Sequence, residues 1–156
     1  MKRTTRFTLT MVTFILTFAI VSLAFGSDYN FNAHLSDKDT NVDSKAQGQL
    51  ILKFNKDYSE LYYKLIVANI DNVTGAHIHG MDNMIVATLY SGPTTNGRFS
   101  GILAEGIITQ DDISCHHASP TENTLKHLVM CINQGHLYVN IHTIQNPGGE
   151  IRGQVK

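Results

Sequence analysis

The chain has 156 residues, 42% of them hydrophobic and 16% charged, with 12 basic against 13 acidic side chains and a net charge of −1. That length fits one domain with a buried core. No basic stripe appears, and the six Tyr and seven Phe are not interleaved with Lys or Arg, so nucleic-acid binding is excluded as the leading reading.

Residues 1–26 read as a targeting segment. Lys2, Arg3 and Arg6 supply a positive flank, and Phe7 to Phe25 is an apolar run broken only by Thr and Ser. Ala24-Phe25-Gly26 places cleavage after Gly26. The alternative is an uncleaved anchor, because the run approaches the ~20 residues that span a bilayer; the membrane would then be a partner only through this segment. Either way residues 27–156 are expected outside the cytoplasm, secreted, periplasmic or at the cell surface. Without Lys2, Arg3 and Arg6 this part is acidic, at about −4.

Residues 27–156 read as short strands separated by turn residues, with no internal repeat. Tyr29 to Leu35 is the first strand, and Ser36 to Lys45 is a polar loop. Gln47 to Phe54 alternates, with Leu50, Leu52 and Phe54 on one face. Asn55-Lys56-Asp57 turns the chain into a partner strand whose apolar face is Leu61, Tyr63, Leu65 and Val67. Strands at Ala76–His79 and Ile85–Tyr90 come next, then the turn Ser91-Gly92-Pro93. Gly97 to Ile108 is extended, with bends or bulges expected at Gly101 and Gly106.

One helix is expected near 121–134. Leu125, Leu128, Val129 and Ile132 have helical spacing. Ser119-Pro120-Thr121-Glu122 resembles a capping box, and Gly135 is the stop. Asn146-Pro147-Gly148-Gly149 closes a final hairpin onto a strand with Ile151, Gly153 and Val155 facing one way. The sum is an all-β fold, an antiparallel Greek-key sandwich or flattened barrel with one short helix.

Cys115 and Cys131 are the only cysteines, an even count that suggests one disulfide in an exported chain, stapling the helix to the preceding loop. Two free thiols, one or both on a metal, are the alternative. Asn72-Val73-Thr74 is an acceptor sequon, of use only in a host that glycosylates exported proteins.

All 8 histidines lie beyond residue 26. In a strand, side chains alternate, so His77 and His79 share a face opposite Ala76 and Ile78. Tyr138, Asn140 and His142 likewise share a face opposite Leu137, Val139 and Ile141. If the apolar faces turn inward, three imidazoles stand on the outside of a sheet, where they suit copper or zinc. Glu150, Asn140 or a backbone carbonyl would orient them. The competing reading is a metal-free polar cluster in which Glu150 and Arg152 pair with each other or with the histidines. His116 and His117 beside Cys115 read as exposed loop residues, the alternative being an added ligand or weak uptake of copper, and His34, His127 and His136 are assigned no role. Met81 and Met84 either contact a partner, supply soft thioethers to cuprous ion, or cap the core. No nucleophile elbow or phosphate-binding loop appears.

Leu61-Tyr62-Tyr63-Lys64-Leu65 with Val67, Gly75-Ala76-His77-Ile78-His79-Gly80, and Leu137 to Thr143 followed by Pro147 to Gln154 carry a resemblance to the CHRD domain, the chordin-type module. The resemblance implies an exported β-sandwich and little about activity. A second likeness covers motifs alone. Copper/zinc superoxide dismutase is similar in placing a His-x-His pair on one strand and a further copper ligand on a late strand, as His77, His79 and His142 would be. No histidine lies between His79 and His116, so the metal-bridging histidine and local zinc loop of that enzyme are absent. The expectation is therefore a non-catalytic binding domain with a candidate copper or zinc site. The rivals are a dismutase-like redox enzyme with Arg152 guiding the anion, and a metal-free module for an extracellular protein or glycan.

Overall fold

The computed structural model describes residues 29–114 and 124–156. The targeting segment, Cys115, His116, His117 and the expected helix cap at Ser119–Glu122 lie outside the described residues.

Among the described residues, eight strands form two antiparallel sheets. The first holds β1 (Asn30–Leu35), β2 (Gln47–Phe54), β3 (Glu60–Asp71) and β6 (Arg98–Thr109), in the order β1-β2-β3-β6. The second holds β4 (Val73–His79), β5 (Ile85–Tyr90), β7 (Tyr138–Thr143) and β8 (Ile151–Gln154), in the order β5-β4-β7-β8. One helix, α1 (Thr124–Asn133), precedes β7. Strand β6 returns to lie beside β3 after β4 and β5 have crossed to the other sheet, which is Greek-key connectivity. The molecule is a sandwich of two sheets rather than a closed barrel.

Alternation explains the strands. On β2, Gly48, Leu50, Leu52 and Phe54 are buried while Gln47, Gln49 and Lys53 face solvent. Leu50 pairs with Leu65 and Phe54 with Leu61 across the hairpin. The turn is held locally: Asn55 Oδ1 accepts from the Glu60 amide at 3.0 Å, and Asp57 Oδ1 accepts from the Ser59 hydroxyl at 2.8 Å. Leu35, Leu52 and Leu65 of the first sheet join Ile78, Ile141 and Ile151 of the second, and Leu125 and Leu128 of α1, in one fully buried core. Each such side chain contributes about 1.5–3 kcal/mol.

The glycines of β6 differ from expectation in one case. The β3–β6 ladder shifts register on both sides of Gly101, whose φ of 144° suits only glycine. Gly106 stays in register with Tyr63. A Cβ there would lie 3.1 Å from the Tyr63 ring, so that glycine makes room for the aromatic face and is no bulge.

Helix α1 ends as expected. Gly135 has φ 72°, its amide donates to Ile132 O, and the His136 amide donates to Cys131 O, the paired bonds of a Schellman cap. The expected disulfide is not shown: among the described residues Cys131 is a free, half-buried thiol, and Cys115 lies outside them. Its side chain packs against the edge of the core.

The two sheets join along one edge. Strand β1 exchanges backbone bonds with β8 at both ends, Asn32 with Lys156 and Ser36 with Arg152, at 2.9–3.0 Å. Gly153 sits between them, and a Cβ there would overlap the His34 carbonyl.

Candidate metal centre

Strands β4 and β7 are neighbours, and their register sets out the site. Gly75 lies opposite His142, His77 opposite Asn140, and His79 opposite Tyr138. His142 is therefore the diagonal neighbour of His77 on one sheet face, within reach for long side chains. Ala76, Ile78, Val139 and Ile141 point the other way into the core, each 0% exposed. The apolar faces thus anchor both strands and leave the imidazoles on the outer face. Gly75 contributes by what it lacks: a Cβ there would crowd the His77 ring at 3.3 Å.

The three rings converge. Their centroids are separated by 5.1 Å (His77–His142), 5.7 Å (His77–His79) and 5.9 Å (His79–His142). One ring nitrogen of each lies within 4.8 Å of the other two. His79 Nδ1 is 3.0 Å from Asn83 O, and His142 Nδ1 is 2.8 Å from Pro147 O. A carbonyl oxygen only accepts, so both Nδ1 atoms carry a proton, and in the neutral tautomer this leaves the Nε2 lone pair for a ligand. Those two Nε2 atoms, and His77 Nδ1, are buried without a hydrogen-bond partner. Such orphans are rare in folded proteins and call for a cause.

Burial pushes the His77 imidazole down to about 4, helped by the neighbouring His142 and His79. Burial also lowers His79. The bond to Asn83 O opposes that shift, and the charges of His142 and Arg152 reinforce it. Both rings are therefore neutral at neutral pH, the form that binds metal.

The supports come from two turns and a stack. Asn83 holds φ 62° in the β4–β5 turn, where its amide donates to Gly80 O at 3.1 Å. Pro147 belongs to the Asn146–Gly149 turn. Tyr138 lies flat on His79, at 5.2 Å and 9°, and its hydroxyl donates to Asn83 Oδ1 at 2.7 Å. The Arg152 guanidinium sits 4.4 Å above the Tyr138 ring, a cation–π contact.

The carbonyls expected as one option for orienting the histidines take that role; the carboxylate does not. Glu150 accepts instead from Ser44 Oγ at 2.8 Å, Thr143 Oγ1 at 2.7 Å and Asn146 Nδ2 at 3.1 Å, tying the closing hairpin to the polar loop. Asn140 is buried on the site face and donates to Gly148 O at 3.1 Å, bracing the turn that carries Pro147. The supporting roles of Tyr138 and Asn83 go beyond the sequence expectation. Tyr138 shares a strand face with His142, which is a readable signal; the carbonyl of Asn83 leaves none.

The CHRD domain family model matches residues 31–155. The chain belongs to the CHRD domain family. No curated protein and no solved structure matched it. CHRD domains occur in extracellular proteins. No helix among the described residues of this CHRD domain is long and apolar enough to cross a membrane. The likeness to the dismutase stays at the level of motifs: among the described residues, the group of His, Cys, Asp or Glu side chains assembled at ligand distance is the three histidines.

Proposed function

We propose that this chain is an exported CHRD-type binding domain that holds a copper or zinc ion through His77, His79 and His142. One observation carries the reading: each ring has a buried nitrogen with no partner, and the three rings face one another. In a metal-free polar cluster those nitrogens would bond to one another or to nearby donors. Here the other nitrogens of His79 and His142 already donate to backbone carbonyls, the arrangement typical of metal-ligating histidine. The three buried nitrogens that face one another offer one ion three imidazole ligands.

Copper(II) and zinc(II) titrations of the purified protein, beside a His77→Ala/His79→Ala variant, test the proposal. The expected result is one equivalent bound tightly by the protein and none by a variant that keeps its β-rich circular dichroism. Equal, weak binding by both would leave a metal-free module for a protein or glycan. A superoxide assay on the copper-loaded protein would then separate a binding site from a redox enzyme.

A further inference from the structure

A second feature lies on the other side of the β4–β5 turn. A cavity of about 420 Å³ opens between that turn and α1. Met81, Met84, Met130 and Cys131 line it, with His127 and His136. The chain's other methionines are Met1 and Met11, and its other cysteine is Cys115. Every sulfur atom among the described residues therefore borders this one cavity.

The exposure of these side chains is unusual for their type. Met81 is 72% exposed, Met84 43% and Met130 46%. A methionine that merely fills the core would be buried; these three are exposed and line an open cavity. Methionine is unbranched, with several rotatable bonds and a polarizable thioether, which suits it to adapt to a small guest. Thioether and thiol are soft donors that select cuprous-type ions over hard or borderline ones, and imidazole also suits copper. His127, Cys131 and His136 form no preassembled trio with one another at ligand distance, so the thioethers must complete any set of donors.

We infer that this sulfur-lined cavity binds a soft monovalent metal ion of the cuprous class. The inference stands apart from the three-histidine reading, since no ligand is shared. The two places do share a turn: Met81 and Met84 flank Asn83, whose carbonyl holds His79.

Silver(I) is the redox-inert probe. The full chain, labelled with 13C at the methionine methyls, is titrated with silver nitrate in chloride-free buffer. Resonances of Met81, Met84 and Met130, assigned by single Met→Leu variants, are expected to shift together and saturate at one equivalent. The Met81→Leu/Met84→Leu/Met130→Leu variant conserves volume and keeps both cysteines; it should lose the one-equivalent step. The His77→Ala/His79→Ala variant should keep it, which separates this site from the three-histidine centre. Unchanged silver binding in the triple variant would mean thiol capture alone and overturn the inference. So would methyl resonances that stay still while an apolar dye such as N-phenyl-1-naphthylamine binds the protein and the triple variant alike, which would make the cavity an apolar pocket.

Discussion

His79 is held from three directions: its strand neighbour His77, the Asn83 carbonyl on Nδ1, and the Tyr138 ring on its face. Removing the ring frees the imidazole to rotate without touching a proposed ligand. Tyr138→Leu should therefore weaken metal binding by about tenfold, the lower end for a group that orients a ligand, while leaving the fold intact. Tyr138→Phe keeps the stack, loses only the bond to Asn83 Oδ1, and should fall between. Parallel zinc titrations measure both, and equal affinity in all three proteins would deny Tyr138 an orienting role. Gly149 makes a sharper case. Its φ is 118°, and a Cβ there would overlap the Asn140 amide at under 3.0 Å. Gly149→Ala should cost about 2–4 kcal/mol in urea unfolding.

At the scale of elements, the seam between β1 and β8 joins the sheets. It has only the bonds of Asn32, Ser36, Arg152 and Lys156, and it needs the bare backbone of Gly153 to close. A methyl at Gly153 must push the His34 carbonyl away. Gly153→Ala is expected to speed hydrogen exchange at those four amides first, while the β4–β7 amides keep their protection. Uniform loss of protection across both sheets would show instead that the seam is not a separable unit. Because β8 carries Arg152, the same variant should also disturb the stack on Tyr138 and hence the histidines.

At the scale of the whole molecule, the metal-free protein should be weakened by mild acid. In the unfolded chain an imidazole takes up a proton as pH falls through about 6.5. In the fold, His77 resists until about 4, and His79 is also lowered. Between those limits the unfolded chain binds more protons, so stability rises with pH and is lost as pH falls. Urea midpoints should drop between pH 7 and pH 4.5, and His77→Phe should flatten that drop. An unchanged slope in the variant would place the acid sensitivity elsewhere. Metal at 100 times its dissociation constant should add about 2.7 kcal/mol at neutral pH.

Much of this architecture is local and legible in the residues. Period-two alternation places Leu50, Leu52 and Phe54, or Ala76 and Ile78, on one side of a strand because successive side chains point oppositely. The turns at Asn55 and Asn146, the stop at Gly135 and the shared face of His77 and His79 follow from the same short-range chemistry. The tertiary structure decided what lies far apart in sequence. Only the pairing of β4 with β7 brings His142 beside His77, and that register follows from burying two apolar faces at once. The placement of α1 across a cavity from the β4–β5 turn gathers Met130 and Cys131 with Met81 and Met84. The pairing of β1 with β8 makes Gly153 indispensable. Alternation is a property of one strand, whereas partner and register belong to the whole core.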